Sequence, residues 1–232
     1  MKNLRAKLEA YGLGCGIHTA SYVNTAEIAE PVRKGVVAHL REFIDLAHGL
    51  GARYLIIHCG VYFSLFQARV EECLIRTLRE TVAHAEKRSI SLLLENMNRI
   101  PQTPAGKPWD LSFGKPEISY LGVTTEELRK IFERVNSPLL GFSLNVAHAH
   151  LLGGGFRPFL EGFGDKLGNV QISDNNGITD EHLPIGEGTV DFPGLIRHLK
   201  KMNFQGTLSL SIPKERMLES KARLQKILES VA

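Results

Sequence analysis

The stretch VQISDNNGITDEHLPIGEGTVDF, residues 170–192, joins a short apolar strand to a long polar loop. Val170 and Ile172 alternate with polar residues, as expected for a β-strand, and Asn176 with the following glycine forms a turn signal. Asp191 stands two residues before a proline, which predicts the N-cap of the next helix. The stretch therefore predicts a strand, a loop rich in hydrogen-bonding groups and a helix.

The loop carries the side chains best suited to chemistry. Asp180 and His182 are two residues apart, so an extended backbone would project both side chains from one face. A carboxylate beside an imidazole suits metal chelation or proton transfer. Asp174, which follows the strand, is a candidate for contact with a polar substrate.

The pattern of a strand followed by a helix repeats along the chain. Six strands alternate with helices, which predicts an α/β fold with a parallel sheet covered on both faces. Each strand ends on a polar residue, and these residues are His18, His58, Glu95, Asn145, Gln171 and Ser211. Active sites of α/β barrels lie at the carboxyl ends of the strands, so this pattern favours a barrel over an open sheet.

Three of these residues suit a metal. Imidazole and carboxylate groups bind zinc, manganese or cobalt, and His18, His58 and Glu95 end consecutive strands. The alternative is that they are unrelated polar caps. His148 is close enough to Asn145 to join Asp180 and His182, whereas we interpret His150 as a supporting or surface residue.

Composition limits the function classes. The 232 residues suit one domain, residues 1–232, and the net charge of +3 is spread without a Lys/Arg run, which argues against an obligate nucleic-acid binder. The three cysteines lack paired spacing, the amino-terminal residues lack the apolar core of a signal peptide, and no apolar run is long enough to span a membrane. We therefore expect a cytoplasmic protein that does not bind membranes.

The longest irregular stretch runs from Asn96 to Val123 and contains Trp109, the only tryptophan. Loops of this length in compact domains tend to be lids or binding loops.

Five short motifs resemble the xylose isomerase-like TIM barrel superfamily, which includes sugar isomerases and epimerases and DNA-repair phosphodiesterases of the endonuclease IV type. The motifs are HTASYVN at 18–24, LIIHCG at 55–60, LEN at 94–96, NVAHA at 145–149 and DEHLPIGEG at 180–188. The resemblance implies two further strands ahead of the first helix, leaving about six β/α units here. Because a part-barrel exposes sheet edges, we expect a partner chain, self-association into a homo-oligomer, or a shortened chain.

The resemblance implies two different ligand sets. Isomerases and epimerases hold their metal with three carboxylates and a histidine, and at the matching positions only Glu95 is kept, beside the neutral Asn145, Gln171 and Ser211. These changes weaken a divalent site and break the usual acid/base pair. The endonuclease IV pattern implies one outer zinc at His18, His58 and Glu95 and another at His148, Asp180 and His182.

We therefore expect a sugar or sugar-phosphate isomerase or epimerase that acts on a small polyhydroxylated substrate with a degenerate site for zinc or manganese. Glu95 is then a metal ligand or base, and His182 with Asp180 is a second acid/base or metal pair. The expected substrate contacts are Asn145, Gln171, Ser211 and Asp174. The alternatives are a metal-dependent phosphodiesterase and a barrel that binds a small ligand without catalysis.

Overall fold

Helices and strands alternate along the chain, as the apolar periodicity predicts. The computed structural model describes residues 2–63, 66–100 and 118–231. Most of the expected binding loop, including Trp109, lies outside these residues. The described helices are α1 (Lys2–Ala10), α2 (Glu30–Leu50), α3 (Gln67–Glu86), α4 (Thr125–Val135), α5 (Val146–His150), α6 (Arg157–Phe163), α7 (Phe192–Lys201) and α8 (Met217–Ser230).

The strands form a six-stranded sheet in the order β1-β2-β4-β6-β7-β8 and a two-stranded sheet of β3 and β5. Their bounds are β1 (Ile17–His18), β2 (Tyr54–Ile57), β3 (Val61–Phe63), β4 (Ser91–Glu95), β5 (Ile118–Tyr120), β6 (Leu140–Asn145), β7 (Leu167–Ile172) and β8 (Thr207–Leu210). The large sheet is parallel and β3 pairs with β5 antiparallel, which confirms the predicted α/β class with six parallel strands.

The chain groups into two compact units. The first contains Met1–Glu95 and Ile100–Gly141, and the second contains Asn96–Arg99 and Phe142–Ala232. The expectation of one domain over residues 1–232 stays a prediction.

Strands β1, β2 and β4 hold the sheet of the first unit. Ile17 pairs with Leu55, and Ile57 pairs with Leu94, so the carboxyl ends of the three strands lie side by side. β2 and β4 are apolar and buried along most of their length, as expected for parallel strands covered on both faces. Helix α2 begins with a proline in its first turn and ends before Gly51, whose φ of 70° closes the helix.

Strands β6, β7 and β8 hold the sheet of the second unit. Phe142 of β6 packs on Phe159 and Phe163 of α6, with ring centroids 6.2 and 5.2 Å apart. Side chains alternate along a strand, so the residues that follow Phe142 and Leu144 point to the opposite face. Asp191 caps α7 by accepting a hydrogen bond of 2.8 Å from the backbone N–H of Gly194, which confirms the predicted N-cap.

Among the described residues, no helix is both long and apolar enough to cross a membrane.

Candidate functional site

The structure brings His18, His58 and Glu95 together in the first unit. They follow or end β1, β2 and β4, and their ligand atoms all lie within 4.8 Å of one another. Glu95 Oε2 lies 2.9 Å from His18 Nε2 and 3.3 Å from His58 Nε2. The two imidazole rings meet edge to face with centroids 5.0 Å apart. One carboxylate oxygen is therefore shared between two histidines.

The orientation of the His18 ring is fixed by the backbone carbonyl of Thr19. Its Nδ1 lies 2.7 Å from the carbonyl oxygen of Thr19, which can only accept a hydrogen bond, so Nδ1 carries a proton. In a neutral ring, Nε2 then presents a lone pair to the Glu95 carboxylate, and two lone pairs repel. A proton or a metal ion between them removes the repulsion. Metal-binding histidines in proteins are usually anchored in this way.

The electrostatics of this group favour positive charge. Burial lowers the pKa of His18, but the hydrogen bond and negative charge of Glu95, together with the Thr19 carbonyl, outweigh burial and raise it. Glu95 itself is only 1% exposed. A buried carboxylate is costly unless cationic partners compensate it, so the group is suited to hold a cation.

A similar arrangement occurs in the second unit. Asp180 Oδ2 lies 3.2 Å from His148 Nε2 and 3.3 Å from His182 Nε2. His148 Nδ1 lies 2.9 Å from the carbonyl oxygen of Asn96, and His182 Nδ1 lies 2.6 Å from that of Ser211. Both histidines therefore donate from Nδ1 to the backbone and direct Nε2 at one carboxylate, as His18 does.

Asp180 has the features of a cation ligand. Burial raises its pKa, but hydrogen bonds from His148 and His182 and their charges lower it further than burial raises it. Its second carboxylate oxygen, Oδ1, is buried and has no hydrogen-bond partner within the described part of the chain. An unpaired buried carboxylate oxygen is costly, and a bound cation would satisfy it.

The group of His18, His58 and Glu95 fits a divalent metal, whereas metal binding by His148, Asp180 and His182 stays a prediction. Ligands bound at the usual zinc distances sit about 3.4 Å apart in a tetrahedral site. The nitrogen-to-oxygen distances of 2.9 and 3.3 Å in the first unit and 3.2 and 3.3 Å in the second are close to that spacing. Two imidazoles and a carboxylate are also a donor set that zinc and manganese accept.

The loop that holds Asp180 is not extended. His182 has a φ of 52°, in the left-handed region that few residues other than glycine adopt. The expectation that an extended backbone projects Asp180 and His182 from one face is therefore wrong. The two side chains still meet, because Asp180 Oδ2 lies 3.3 Å from His182 Nε2 and the His182 ring donates to the Ser211 carbonyl.

The predicted substrate contacts have structural partners. The Asn145 side chain caps α5 by accepting from His148 N at 3.1 Å, and the Gln171 side chain donates to Ser143. Ser211 Oγ lies 3.4 Å from His182 Nδ1. Asp174 is fully buried, and its carboxylate accepts four backbone hydrogen bonds, from Asn175, Gly186, Gly188 and Val190. Asp174 thus shapes the loop, and substrate contact by these four residues stays a prediction.

The sequence motifs do not indicate the supporting role of Asn96. Its side chain exchanges two hydrogen bonds with the backbone of Asn145, while its carbonyl orients His148. Nor do the motifs indicate Ser143 and Asn169, which hydrogen-bond to one another next to Gln171. Their signal was the alternation of polar residues in otherwise apolar strands.

Comparisons with known proteins place the chain in a family. The xylose isomerase-like TIM barrel family matches residues 1–231, so the chain belongs to this family and has its TIM-barrel-like fold. An uncharacterized protein of Methanocaldococcus jannaschii, MJ1311, is 31% identical over 240 residues, covering 99% of this chain and 76% of that protein.

Solved structures agree on the fold. A D-tagatose 3-epimerase-like protein has a TM-score of 0.86 at 29% identity, with 99% of this chain and 82% of that one covered. An L-ribulose 3-epimerase has a TM-score of 0.77 at 17% identity, with 99% and 80% covered, and at that identity it supports the fold alone. Structural neighbours of this chain are thus sugar epimerases.

Proposed function

We propose that the protein is a metal-dependent isomerase or epimerase acting on a small polyhydroxylated carbonyl compound, a sugar or sugar phosphate. The observation that carries the proposal is the group of His18, His58 and Glu95, with all ligand atoms within 4.8 Å. The 29% identity to a D-tagatose 3-epimerase-like protein supports the choice of reaction class.

The residues divide the chemistry between them. A divalent metal held by this group would polarise a substrate carbonyl and so acidify the adjacent C–H. Glu95 serves as a ligand, because the same oxygen faces both His18 and His58. Asp180 and His182 form the acid/base or second metal pair, in which Asp180 stabilises the protonated imidazole and the Ser211 carbonyl fixes the ring.

Metal content tests the first part of the proposal. We expect the purified protein to hold zinc or manganese, and His58→Ala to weaken metal binding by at least about 10-fold, since even supporting residues matter this much. His84→Ala is the matched control, because His84 Nε2 also pairs with a carboxylate, Asp45 Oδ1, at 2.9 Å but lies on α3. If the purified protein holds no metal and His58→Ala leaves its ligand binding unchanged, these results support the alternative of a barrel that binds a small ligand without catalysis.

Proton exchange tests the reaction class. In D₂O, an isomerase or epimerase replaces the hydrogen next to the carbonyl of its substrate with deuterium, which proton NMR detects. We expect exchange with D-tagatose or another ketose, lost in Asp180→Ala and retained in His84→Ala. Metal-loaded protein that exchanges no hydrogen in any ketose or aldose contradicts the proposed reaction.

A second candidate, a metal-dependent phosphodiesterase, is favoured by the other group of two histidines around Asp180. Two metal groups with neutral Asn145, Gln171 and Ser211 match the endonuclease IV ligand pattern better than the epimerase pattern. If the protein is such a phosphodiesterase, we expect it to nick duplex DNA at abasic sites. Its binding to this DNA should weaken steeply as the salt concentration rises. Failure to bind such DNA at low salt removes this candidate.

A further inference from the structure

One face of the second unit's sheet, the face opposite Phe142, is lined with uncharged polar residues. These residues are Ser143, Asn145, Asn169, Gln171, Thr207 and Ser209, which share a face by strand alternation and register. The interiors of TIM barrels are usually filled by bulky branched apolar side chains. Ser143 and Asn169 have no exposed surface and Gln171 is only 6% exposed, so their hydrogen bonds must be satisfied internally.

The hydrogen bonds of Asn169 fix the direction of its amide group. Its Nδ2 lies 3.3 Å from the backbone oxygen of Thr207, which can only accept. Its Oδ1 must therefore be the atom that faces Ser143 Oγ, from which it accepts at 3.1 Å. Ser209 Oγ lies within reach of both amide atoms, 3.1 Å from Nδ2 and 3.3 Å from Oδ1. A flipped amide would set two oxygens against each other at Thr207.

The orientation of the Asn169 amide also fixes the orientation of the Gln171 amide, because Ser143 bonds to both. Ser143 Oγ has one hydrogen, and it donates this hydrogen to Asn169 Oδ1. Toward Gln171, Ser143 can then only accept, and Gln171 Nε2 lies 3.3 Å away as the donor. The carbonyl oxygen of Gln171, Oε1, is consequently on the side of the amide away from Ser143.

We infer that Asn169 and Ser143 are positioning residues that hold Gln171 with its carbonyl oxygen toward the substrate, where it accepts a hydrogen bond from a substrate hydroxyl. This inference rests on the proposed function and narrows its substrate class. A hydroxyl group can donate to this oxygen, whereas a phosphate or carboxylate oxygen would be repelled by it. The substrate therefore presents an uncharged polyol portion to Gln171.

The hydrogen-bond network around Asn169 offers two comparable variants, Ser143→Ala as the test and Ser209→Ala as its control. Ser143→Ala removes the hydroxyl that joins Asn169 to Gln171. Ser209→Ala removes a hydroxyl from the same network, but Asn169 keeps the Thr207 carbonyl and Ser143, so the direction of Gln171 survives. Both changes remove one hydroxyl from a strand, and thermal unfolding of both full-length variants controls for loss of folding.

The first measurement needs no substrate. The hydrogen-exchange rate of the Gln171 side-chain NH₂ is followed by NMR, with its signals assigned by their loss in Gln171→Leu. We expect exchange to speed up at least about 3-fold in Ser143→Ala, because one hydrogen bond of roughly 1 kcal/mol is removed, and to change less than about 2-fold in Ser209→Ala. Unchanged exchange in Ser143→Ala overturns the positioning role.

The second measurement uses D-tagatose as the probe. We expect Ser143→Ala to raise KM about 3- to 10-fold with kcat within about 2-fold, since a binding hydrogen bond is lost, and Ser209→Ala to leave both nearly unchanged. The assignment of Gln171 as a hydroxyl acceptor is overturned if the two changes affect KM equally. It is also overturned if the protein prefers a ketose that carries a phosphate in place of the hydroxyl facing Gln171. If wild-type protein neither binds nor turns over any ketose, the proposed function fails, while amide exchange still decides the positioning.

Discussion

At the scale of single residues, three histidines share one arrangement. His18, His148 and His182 each direct Nδ1 at a backbone carbonyl and Nε2 at a carboxylate. Because a carbonyl fixes the proton on Nδ1, the other nitrogen is the one available to a cation. The arrangement thus turns the Nε2 atom of each of these histidines toward a carboxylate.

Asp174 gives a prediction at this scale. Each carboxylate oxygen of Asp174 accepts two of the four backbone hydrogen bonds, so Asp174→Asn, which replaces one oxygen with an NH₂ group, loses two of them in a buried place. Hydrogen bonds to charged groups contribute about 1.5–3 kcal/mol each. We expect the free energy of unfolding to fall by about 3–6 kcal/mol in urea denaturation.

Asp191→Asn is the control for that change. Asp191 accepts from Gly194 at the start of α7, and Asn caps helices about as well as Asp, so we expect a loss below about 0.5 kcal/mol. A similar loss in the two variants would show that Asp174 does not organise the loop.

At the scale of elements, a buried arginine ties α2 to α3. Arg33 is 1% exposed, its Nε and Nη2 donate to Glu30 at 2.9 and 3.0 Å, and Nη2 also donates to Glu80 of α3 at 2.7 Å. The hydrogen bond from Arg33 lowers the pKa of Glu30 to about 2, and the positive charges of Arg33 and Arg76 contribute. Helix periodicity alone places Arg33 on α2 but does not reveal its partner 47 positions away.

The lowered pKa of Glu30 predicts a pH dependence. Its ionised form favours the folded state, so this contribution is complete above the unfolded pKa of 4.5 and is lost as pH falls toward about 2. We expect Glu30→Gln to be less stable than wild type at pH 7 and the difference to shrink between about pH 4.5 and pH 2. Thermal unfolding across this range measures it.

Glu42→Gln, at an exposed position of the same helix, is the control and should leave the acid dependence of wild type unchanged. A difference between wild type and Glu30→Gln that stays constant down to pH 2 contradicts the role assigned to the Glu30 and Arg33 pair.

At the scale of the whole molecule, membership of the xylose isomerase-like family agrees with the six parallel strands and helices. Self-association, the absence of nucleic-acid binding and the cytoplasmic location stay predictions. The effect of a bound metal on the thermal stability of this chain can be measured directly.

We expect metal to stabilise the fold. A metal that binds only the folded chain adds about 2.7 kcal/mol at 100 times its Kd, which corresponds to a rise in Tm of about 5–10 °C for a chain of this size. Thermal unfolding of chelator-treated protein with and without Zn²⁺ or Mn²⁺ measures the shift. It should be reduced in His58→Ala and kept in His84→Ala, and an equal Tm with and without metal would contradict a folded-state metal site.

The sequence did not reveal β3 and β5, and β5 lies within the stretch Asn96 to Val123 that was expected to be irregular. By itself the sequence determined the order of the other elements, the parallel class of the main sheet and the polar residue at or near the end of each of its strands. These features follow from local periodicity and turn chemistry, which neighbouring residues set together. The residues of the first candidate metal group were also predictable, because His18, His58 and Glu95 stand at or directly after strand ends. His148, Asp180 and His182 lie in the segments that follow β6 and β7 and were predicted from the motifs there.

Only the tertiary structure decided which groups meet and in which direction they bond. His18 and Glu95 are 77 positions apart, yet they share a contact of 2.9 Å. The four hydrogen bonds of Asp174 and the amide direction of Gln171 likewise depend on backbone groups from distant segments. Hydrogen bonds act over about 3 Å and depend on angle, so only the folded chain fixes them.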